Sequence, residues 1–141
     1  MIVQKTIGLA GLVILFLFHP IFAHRHVVAN FPDLTIKTYE FVSTNNKQIR
    51  VQIANDGKAT SKPCRLDLAI RKINGVAATR HEFETIPAIE PGKEAWVAIN
   101  TSGILPSAVS LKDTTFRLVA DETNIVTESN EDNNETWHNQ N

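Results

Sequence analysis

The stretch "CRLDLAIRKINGVAATRHEFETI", residues 64 to 86, predicts two β-strands joined by a tight turn. Every second residue from Cys64 to Ile70 is apolar or a thiol, and the residues between them are polar or small. Such alternation places the apolar side chains on one face of a strand. Asn74 and Gly75 then favour a two-residue hairpin, because both central residues of that turn need positive φ. The return strand is "ATRHEFETI", so the stretch predicts a hairpin with a buried face.

Similar segments continue on both sides of this hairpin. "QIRVQIAN" at 48 to 55 alternates cleanly, whereas "LTIKTYEF" at 34 to 41 changes phase after Ile36, as a β-bulge requires. "IEPG" at 89 to 92 has the composition of a turn. Three further strands are predicted from "EAWVAIN", "TFRLVAD" and, as the last one, "NIVTES". About seven short strands without a helical period predict an all-β antiparallel sandwich.

One connection is long enough to suggest a binding surface. "TSGILPSAVSLKDT", residues 101 to 114, exceeds the usual hairpin loop of about 2–5 residues, and its "LPSAVSL" part is expected to form one short helical turn. Long loops on a rigid scaffold often carry function. The predicted contact residues are Ile104, Leu105, Pro106 and Ser107, with Ile104 and Leu105 expected to be exposed.

The N-terminus predicts export. An apolar stretch of about a dozen residues follows one lysine and ends before Ala23, and a membrane-spanning helix needs about 20. The expected organisation is a signal peptide at 1–23, a flexible leader at 24–31, the domain at 32–137 and a tail at 138–141. An uncleaved anchor is the alternative. Cleavage would leave no membrane span, and the predicted location is secreted or periplasmic.

Composition excludes several classes of function. The net charge is −1, and removal of the predicted signal takes away Lys5 alone, so no basic stripe would attract nucleic acid. Cys64 is the single cysteine and cannot form an internal disulfide. The sequence contains no nucleophile elbow, phosphate loop, paired-histidine zinc motif or CxxC. The chain is therefore expected to be neither an enzyme nor a cofactor-binding protein.

Four motifs occur in an order that is typical of a known family. They are Pro32-Asp33-Leu34, "IANDGKAT" at 53 to 60, "IEPG" at 89 to 92, and "DETNIVTESNEDNN" from Asp121 to Asn134. With these motifs in this order, the chain resembles the CARDB domain, a cell-adhesion-related immunoglobulin-like domain. The resemblance implies a seven-stranded sandwich with a non-enzymatic, extracytoplasmic role in adhesion or in presenting other domains. Two departures are Ile89-Glu90, where the family usually has Leu-Ala, and the longer connection at 101–114.

The acidic, asparagine-rich segment "ESNEDNNETW" at 128 to 137 has three interpretations. The favoured one is a structural turn, because Asx side chains bond to nearby backbone and tolerate left-handed φ. A calcium site with ligands Asp121, Glu128 and Asp132 is the second, and disorder is the third. The residues assigned to turns and caps are Asp121, Asn124, Glu128, Asn130, Asn133 and Asn134.

The predicted mature N-terminus suggests a further metal site. If cleavage follows Ala23, the chain begins His24-Arg25-His26, which offers four nitrogens in the plane that Cu(II) or Ni(II) favours. A flexible polar leader is the simpler interpretation.

Together these features predict a non-catalytic extracytoplasmic module that binds an envelope or extracellular protein or a glycan, with a periplasmic metal-binding protein as the alternative. Trp96 and Trp137 are expected to pack in the core or at a sheet edge rather than to form a sugar platform. Cys64 is expected to be buried and inert.

Overall fold

The computed structural model describes residues 29–42 and 46–139. Within these residues the chain forms seven strands and one turn of 3-10 helix. In order they are β1 (Leu34–Phe41), β2 (Gln48–Asn55), β3 (Cys64–Ile73), β4 (Val76–Ile86), β5 (Glu94–Asn100), the helical turn (Leu111–Asp113), β6 (Thr114–Ala120) and β7 (Glu135–His138). No helix among the described residues is long and apolar enough to cross a membrane.

The strands form two antiparallel sheets that enclose one core. The three-stranded sheet has the order β1-β2-β5, and the four-stranded sheet has the order β4-β3-β6-β7. Alternate residues of both sheets point inward, so the apolar side predicted from the alternation is buried. The all-β sandwich with an immunoglobulin-like arrangement is therefore confirmed. The largest fully buried side chains include Leu34, Ile49, Ile53, Leu66, Leu68, Ile70, Phe116 and Leu118.

Local chemistry produces the predicted turns. Asn74 and Gly75 have φ values of 47° and 76°, which lets Ile73 pair directly with Val76 across the hairpin. The "IEPG" turn ends at Gly92 with φ of 70°. The phase change in β1 is a register shift between Ile36 and Thr38 in its pairing with β2. These three predictions are confirmed.

The predicted last strand is wrong. "NIVTES" is irregular, because the Asp121 carboxylate accepts hydrogen bonds from the backbone N–H of Ile125 at 3.2 Å and of Val126 at 2.7 Å. These donors are consequently not free to pair with a neighbouring strand. The seventh strand is β7, which pairs with β6 from Val119–Glu135 to Phe116–His138.

The expected exposure of the long connection is also wrong in part. Leu105 and Leu111 are 5% and 0% exposed, and Ile104 and Val109 pack against the core. The helical turn forms at Leu111–Asp113, at the end of the segment expected to contain it. The connection therefore closes one end of the core.

The two ends of the sandwich differ in sequence and in chain path. We call the end formed by residues 29–33, 55–61 and 121–134 the entry pole, because the described chain begins there. The end formed by residues 46–47, 73–76 and 101–113 is the exit pole. β7 runs towards it, and Nε2 of His138 donates to the carbonyl of Lys112 at 3.1 Å.

Candidate functional site

A depression of about 590 Å³ lies at the exit pole, between the β3–β4 hairpin and the connection after β5. Val76 stands at the hairpin and is 71% exposed. Aliphatic side chains supply most of the wall, and one guanidinium adds a polar group. The lining residues are Ile73, Val76, Ala77, Ala78, Thr79, Arg80 and Pro106.

Backbone hydrogen bonds hold the connection in place against the β1–β2 turn. Both the N–H and the hydroxyl of Thr101 donate to the carbonyl of Lys47 at 2.8 Å, and Leu111 N–H donates to the carbonyl of Asn46 at 2.8 Å. The N–H groups of Ile104 and Leu105 donate to the Thr101 carbonyl at 3.0 and 2.9 Å. Bonds of this number leave the wall of the depression little freedom, so the site is preformed.

The hairpin is fastened to the same connection. Arg80 donates from Nη1 to the carbonyl of Ile104 at 2.8 Å, and Lys47 donates from Nζ to the carbonyl of Pro106. Arg80 thereby ties the hairpin to the connection, whereas Lys47 ties the connection to the β1–β2 turn.

The structure places the four predicted contact residues in different environments. Leu105 is in the core and Ile104 is half-buried, whereas Pro106 and Ser107 are exposed. Of the four, Pro106 lines the depression. Val76 and its neighbours could not be named from the sequence, because a strand that follows an Asn-Gly turn does not reveal which loop will pack beside it.

The entry pole is built around the buried side chain of Asn55, at the end of β2. Its Oδ1 accepts from the N–H groups of Asp33 and Gly57, both at 3.0 Å. Its Nδ2 donates to the carbonyls of Ala59 at 2.7 Å and Ile89 at 2.8 Å. One amide therefore fixes the start of β1, the β2–β3 connection and the segment before β5, and all of its hydrogen-bonding capacity towards backbone is used.

Glu128 links the 121–134 segment to β1. Its Oε2 accepts from the N–H of Leu34, and its Oε1 faces Nδ2 of Asn134 at 3.5 Å. Burial of the carboxyl raises its pKa to about 7, and the nearby carboxylates of Glu131 and Asp121 act in the same direction. The bond from Leu34 opposes this increase, because it favours the charged form.

The other residues assigned to turns and caps act within the turn or tie it to the start of the domain. Asp121 and Asn124 have φ values of 52° and 51°, in the left-handed region that Asx residues tolerate. Oδ1 of Asn130 accepts from Asp132 N–H at 3.1 Å. Nδ2 of Asn133 donates to the Asp33 carboxylate at 2.9 Å, which connects the segment to residues about 100 positions earlier.

These bonds engage two of the three carboxylates named as calcium ligands, Asp121, Glu128 and Asp132. The carboxylates of Asp121 and Glu128 accept backbone N–H groups, and Asp132 is exposed on the far side of a turn. No group of three His, Cys, Asp or Glu side chains within residues 29–42 and 46–139 is arranged to hold a metal ion. A calcium ion needs six to eight oxygens, and a calcium site here stays a prediction alternative to the structural turn. His24 and His26 lie outside the described residues.

The single cysteine is not paired with a histidine. Cys64 is 5% exposed on the core side of β3, and burial raises the pKa of its thiol to about 12. His81 lies on the opposite side of the same sheet, where its Nδ1 is 3.1 Å from Oδ1 of Asp67. A thiol of this kind is protonated and inert, as expected.

Comparison with known proteins agrees with this arrangement. A crystal structure of the CARDB domain of a Pyrococcus furiosus protein, in complex with di-metal ions, shares 20% identity with a TM-score of 0.50 and covers 78% of this chain and 92% of that one. The solution structure of a domain of a Methanosarcina acetivorans protein, named as a presumed cell surface protein, shares 21% identity with a TM-score of 0.54 and covers 77% and 89%.

Sequence comparison gives the family. No curated protein matches this chain. The family model for CARDB matches residues 31–138, which is most of the chain and spans all seven strands. The chain belongs to the CARDB family.

Proposed function

We propose that this protein is a non-catalytic binding module that acts outside the cytoplasm and engages a partner through the exit-pole depression. Membership of a family with a relative named for the cell surface supports the location, as does the predicted signal at 1–23. The depression is the observation that carries the proposal. It is a preformed concave surface at the exit pole.

The depression suits an apolar anchor of a protein partner. Val76 is a large aliphatic side chain that is 71% exposed, and Ala77, Ala78 and Pro106 continue the apolar surface. Protein interfaces are commonly centred on an apolar side chain that fills such a pocket, with polar groups at the rim. Thr79 and Arg80 supply the polar groups here.

A pair of matched substitutions tests this function. Val76→Asp places a charge in the depression, while Ile125→Asp alters an aliphatic residue that is 58% exposed at the entry pole. Both variants should fold, because neither side chain is in the core. A partner captured from envelope extract by the wild-type protein and by Ile125→Asp should be lost with Val76→Asp. Retention by both variants would place the contact elsewhere.

Metal binding is the second candidate function, and the sequence His24-Arg25-His26 supports it. N-terminal sequencing of the mature protein must first show a start at His24, because the free amine is one of the ligands. Cu(II) titration should then produce a visible d–d band that His26→Ala removes. Without that band, residues 24–31 act only as a tether.

A further inference from the structure

The outer face of the four-stranded sheet has a buried floor between two aromatic walls. Ala69, Asp67 and Val119 lie along its centre on β3 and β6 and are 0%, 2% and 7% exposed, although they point away from the core. Their cross-strand neighbours on β4 and β7 are larger. The register places these residues on that face: Arg65, Asp67 and Ala69 of β3; His81, Phe83 and Thr85 of β4; Arg117 and Val119 of β6; Glu135 and Trp137 of β7.

The walls are exposed aromatic rings in fixed orientations. Trp137 is 45% exposed, and its Nε1 donates to Oε1 of Glu135 at 3.3 Å. Phe83 is 39% exposed and stacks on His81, with ring centroids 6.0 Å apart and planes inclined by 18°. β4 and β7 are separated by three strand intervals, so the walls stand about 14 Å apart. Trp137 therefore lies at a sheet edge, one of the two positions expected for the tryptophans.

A buried carboxylate orients the His81 ring. The Asp67 side chain is 3% exposed and its carboxylate accepts from Nδ1 of His81 at 3.1 Å. A carboxylate oxygen is an acceptor, so Nδ1 carries the hydrogen, and Nε2 is an acceptor whenever the ring is neutral. An acceptor beside an aromatic wall is suited to a hydroxyl group.

Cationic side chains occur along the length of this face. Arg65 bonds to Glu122 and lies over the Phe83 ring, with Cζ 4.1 Å from the centroid, and Arg117 Nε is 3.6 Å from Glu135. The Nε groups of both arginines are buried and form no hydrogen bond in the described part of the chain. Arg71 and Lys72, at the end of β3, form no ion pair there. Arg117 is therefore held only by a contact longer than a hydrogen bond, and Arg71 and Lys72 add unpaired cations in a chain whose net charge is −1.

The dimensions favour a chain-like ligand over a folded protein. The face is about 20 Å long and about 14 Å wide, roughly 300 Å² in all. A standard protein interface needs about 800 Å² on each side.

A peptide chain is less well suited than a sugar chain. The backbone groups of β3 and β6 are paired on both sides, so the floor offers none to a peptide main chain. Recognition must use side chains alone. Rings that stack on aromatic side chains and carboxylates that pair with guanidinium groups meet that condition.

We propose that the outer face of the four-stranded sheet binds an anionic polysaccharide, with sugar rings against Trp137 and Phe83 and sugar carboxylates against Arg117 and Arg65. This inference adds a second binding surface to the proposed function. It rests on the proposed function only for the location outside the cytoplasm, where such a polymer is accessible. The protein would then hold a protein partner at the exit pole and a carboxylated glycan on its flank.

The two tryptophans of the chain make the test specific. Trp96 is 44% exposed on the other sheet and lies beside a guanidinium, with Arg50 Cζ 4.7 Å from its ring centroid. Trp96→Phe leaves Trp137 as the sole tryptophan, and Trp137→Phe leaves Trp96. Titration with oligogalacturonate should change the fluorescence of the Trp96→Phe protein saturably and leave that of Trp137→Phe unchanged. Arg117→Gln should weaken binding about tenfold or more, while the matched Arg50→Gln should stay within about twofold of wild type.

The controls separate this proposal from simpler ones. Thermal melting shows that each variant is folded, an uncharged glucan should not bind, and poly-glutamate should bind at least about tenfold more weakly than oligogalacturonate. The proposal would be overturned if poly-glutamate bound as tightly as oligogalacturonate. It would also be overturned if the fluorescence change came from Trp96 alone, or if no saturable change occurred. None of these results would change the outcome of the capture experiment with Val76→Asp and Ile125→Asp. That experiment therefore tests the proposed function separately.

Discussion

At the scale of single residues, Gly57 shows why the family motif around Asn55 contains a glycine. A Cβ atom at position 57 would lie 2.5 Å from the backbone nitrogen of Asp33 and from the carbonyl carbon of Pro32. Two backbone segments meet here, and neither is a flexible side-chain end that could move aside. The glycine is therefore required by close approach of the chain start to the β2–β3 connection.

Gly57→Ala should lower the free energy of unfolding by about 1–3 kcal/mol, the usual cost of overpacking. Gly103→Ala is the matched control, since nothing lies within 4 Å of its added Cβ, and it should stay within about 0.5 kcal/mol of wild type. Urea denaturation measures both. Equal stability of the two variants would show that the entry pole relaxes more than its contacts suggest.

Glu128 makes the stability of the entry pole depend on pH. Its pKa is about 7 in the folded protein, against an ordinary value of 4.5, so between these values the folded state retains a proton that the unfolded chain has lost. Stability from this group is present below about pH 4.5 and is lost as the pH rises through about 7. Glu128→Gln keeps an acceptor for Leu34 N–H without titrating. The melting temperature of the wild type minus that of Glu128→Gln should decrease between pH 5 and 7.5. A difference that does not vary with pH would contradict this.

Removing the acceptor altogether is a separate test. Glu128→Ala leaves the buried N–H of Leu34 without its partner and should cost about 1–3 kcal/mol. Asn130→Ala removes one bond at an exposed turn and should cost about 0.5 kcal/mol. Added calcium should leave the melting temperature of the wild-type protein unchanged, because the carboxylates of Asp121 and Glu128 already accept backbone N–H groups. A large calcium-dependent increase would contradict the structural interpretation.

At the scale of secondary-structure elements, the sequence predicted strands wherever one face alternates cleanly. β2, β3 and the β3–β4 turn follow from residues close in sequence. The last strand could not be predicted in this way. Ile125 and Val126 have the apolar character of strand residues, but their N–H groups bond to the Asp121 carboxylate and not to a neighbouring strand. β7 has only Trp137 as a large apolar residue, and that side chain faces outward.

The same limit applies to the candidate sites. Residues for turns could be named from Asx chemistry, which acts over a few positions. The bond between Glu128 and Leu34 spans 94 positions, and no local pattern reports it. The depression and the outer face each depend on several elements that only the folded chain brings together.

The connection from 101 to 113 is a structural lid on the core more than a detachable loop. Replacing the connection by a short Gly-Ser turn would remove Leu105 and Leu111 from the core. Leu111→Ala should cost about 2–5 kcal/mol, whereas Ser107→Ala at the exposed tip should stay within about 0.5 kcal/mol. Chemical denaturation of the two variants distinguishes a lid from a loop, and equal stability would contradict the lid.

The edge strands carry features that prevent pairing between molecules. β1 has its register shift, β7 has four residues, and β4 places Glu82 and Glu84 on the same side as the core residues Leu68 and Leu66. Inward-pointing charges are a common protection of edges. Glu82→Val with Glu84→Val should therefore increase aggregation, measured by light scattering during heating. The matched pair Glu82→Gln with Glu84→Gln keeps these positions polar and should aggregate less.

At the scale of the whole molecule, the described chain enters at one pole and leaves towards the other. Ala29 and Phe31 lie beside Ser129 at the entry pole, whereas His138 bonds Lys112 at the exit pole. A protein attached through its N-terminus would therefore present the exit-pole depression away from the attachment. The flank formed by the four-stranded sheet runs between the two poles and stays accessible.

The inert Cys64 allows this orientation to be tested in cells. The wild-type thiol is buried and has a pKa of about 12, so a membrane-impermeant maleimide should not label it in the folded protein. Val76→Cys at the exit pole and Ile125→Cys at the entry pole each add one exposed thiol. In spheroplasts, export predicts that both variants are labelled and the wild type is not, and attachment through the N-terminus predicts faster labelling at Val76. If labelling required cell lysis, the protein would lie inside the cell. Equal labelling rates at the two poles would contradict the proposed orientation but not export.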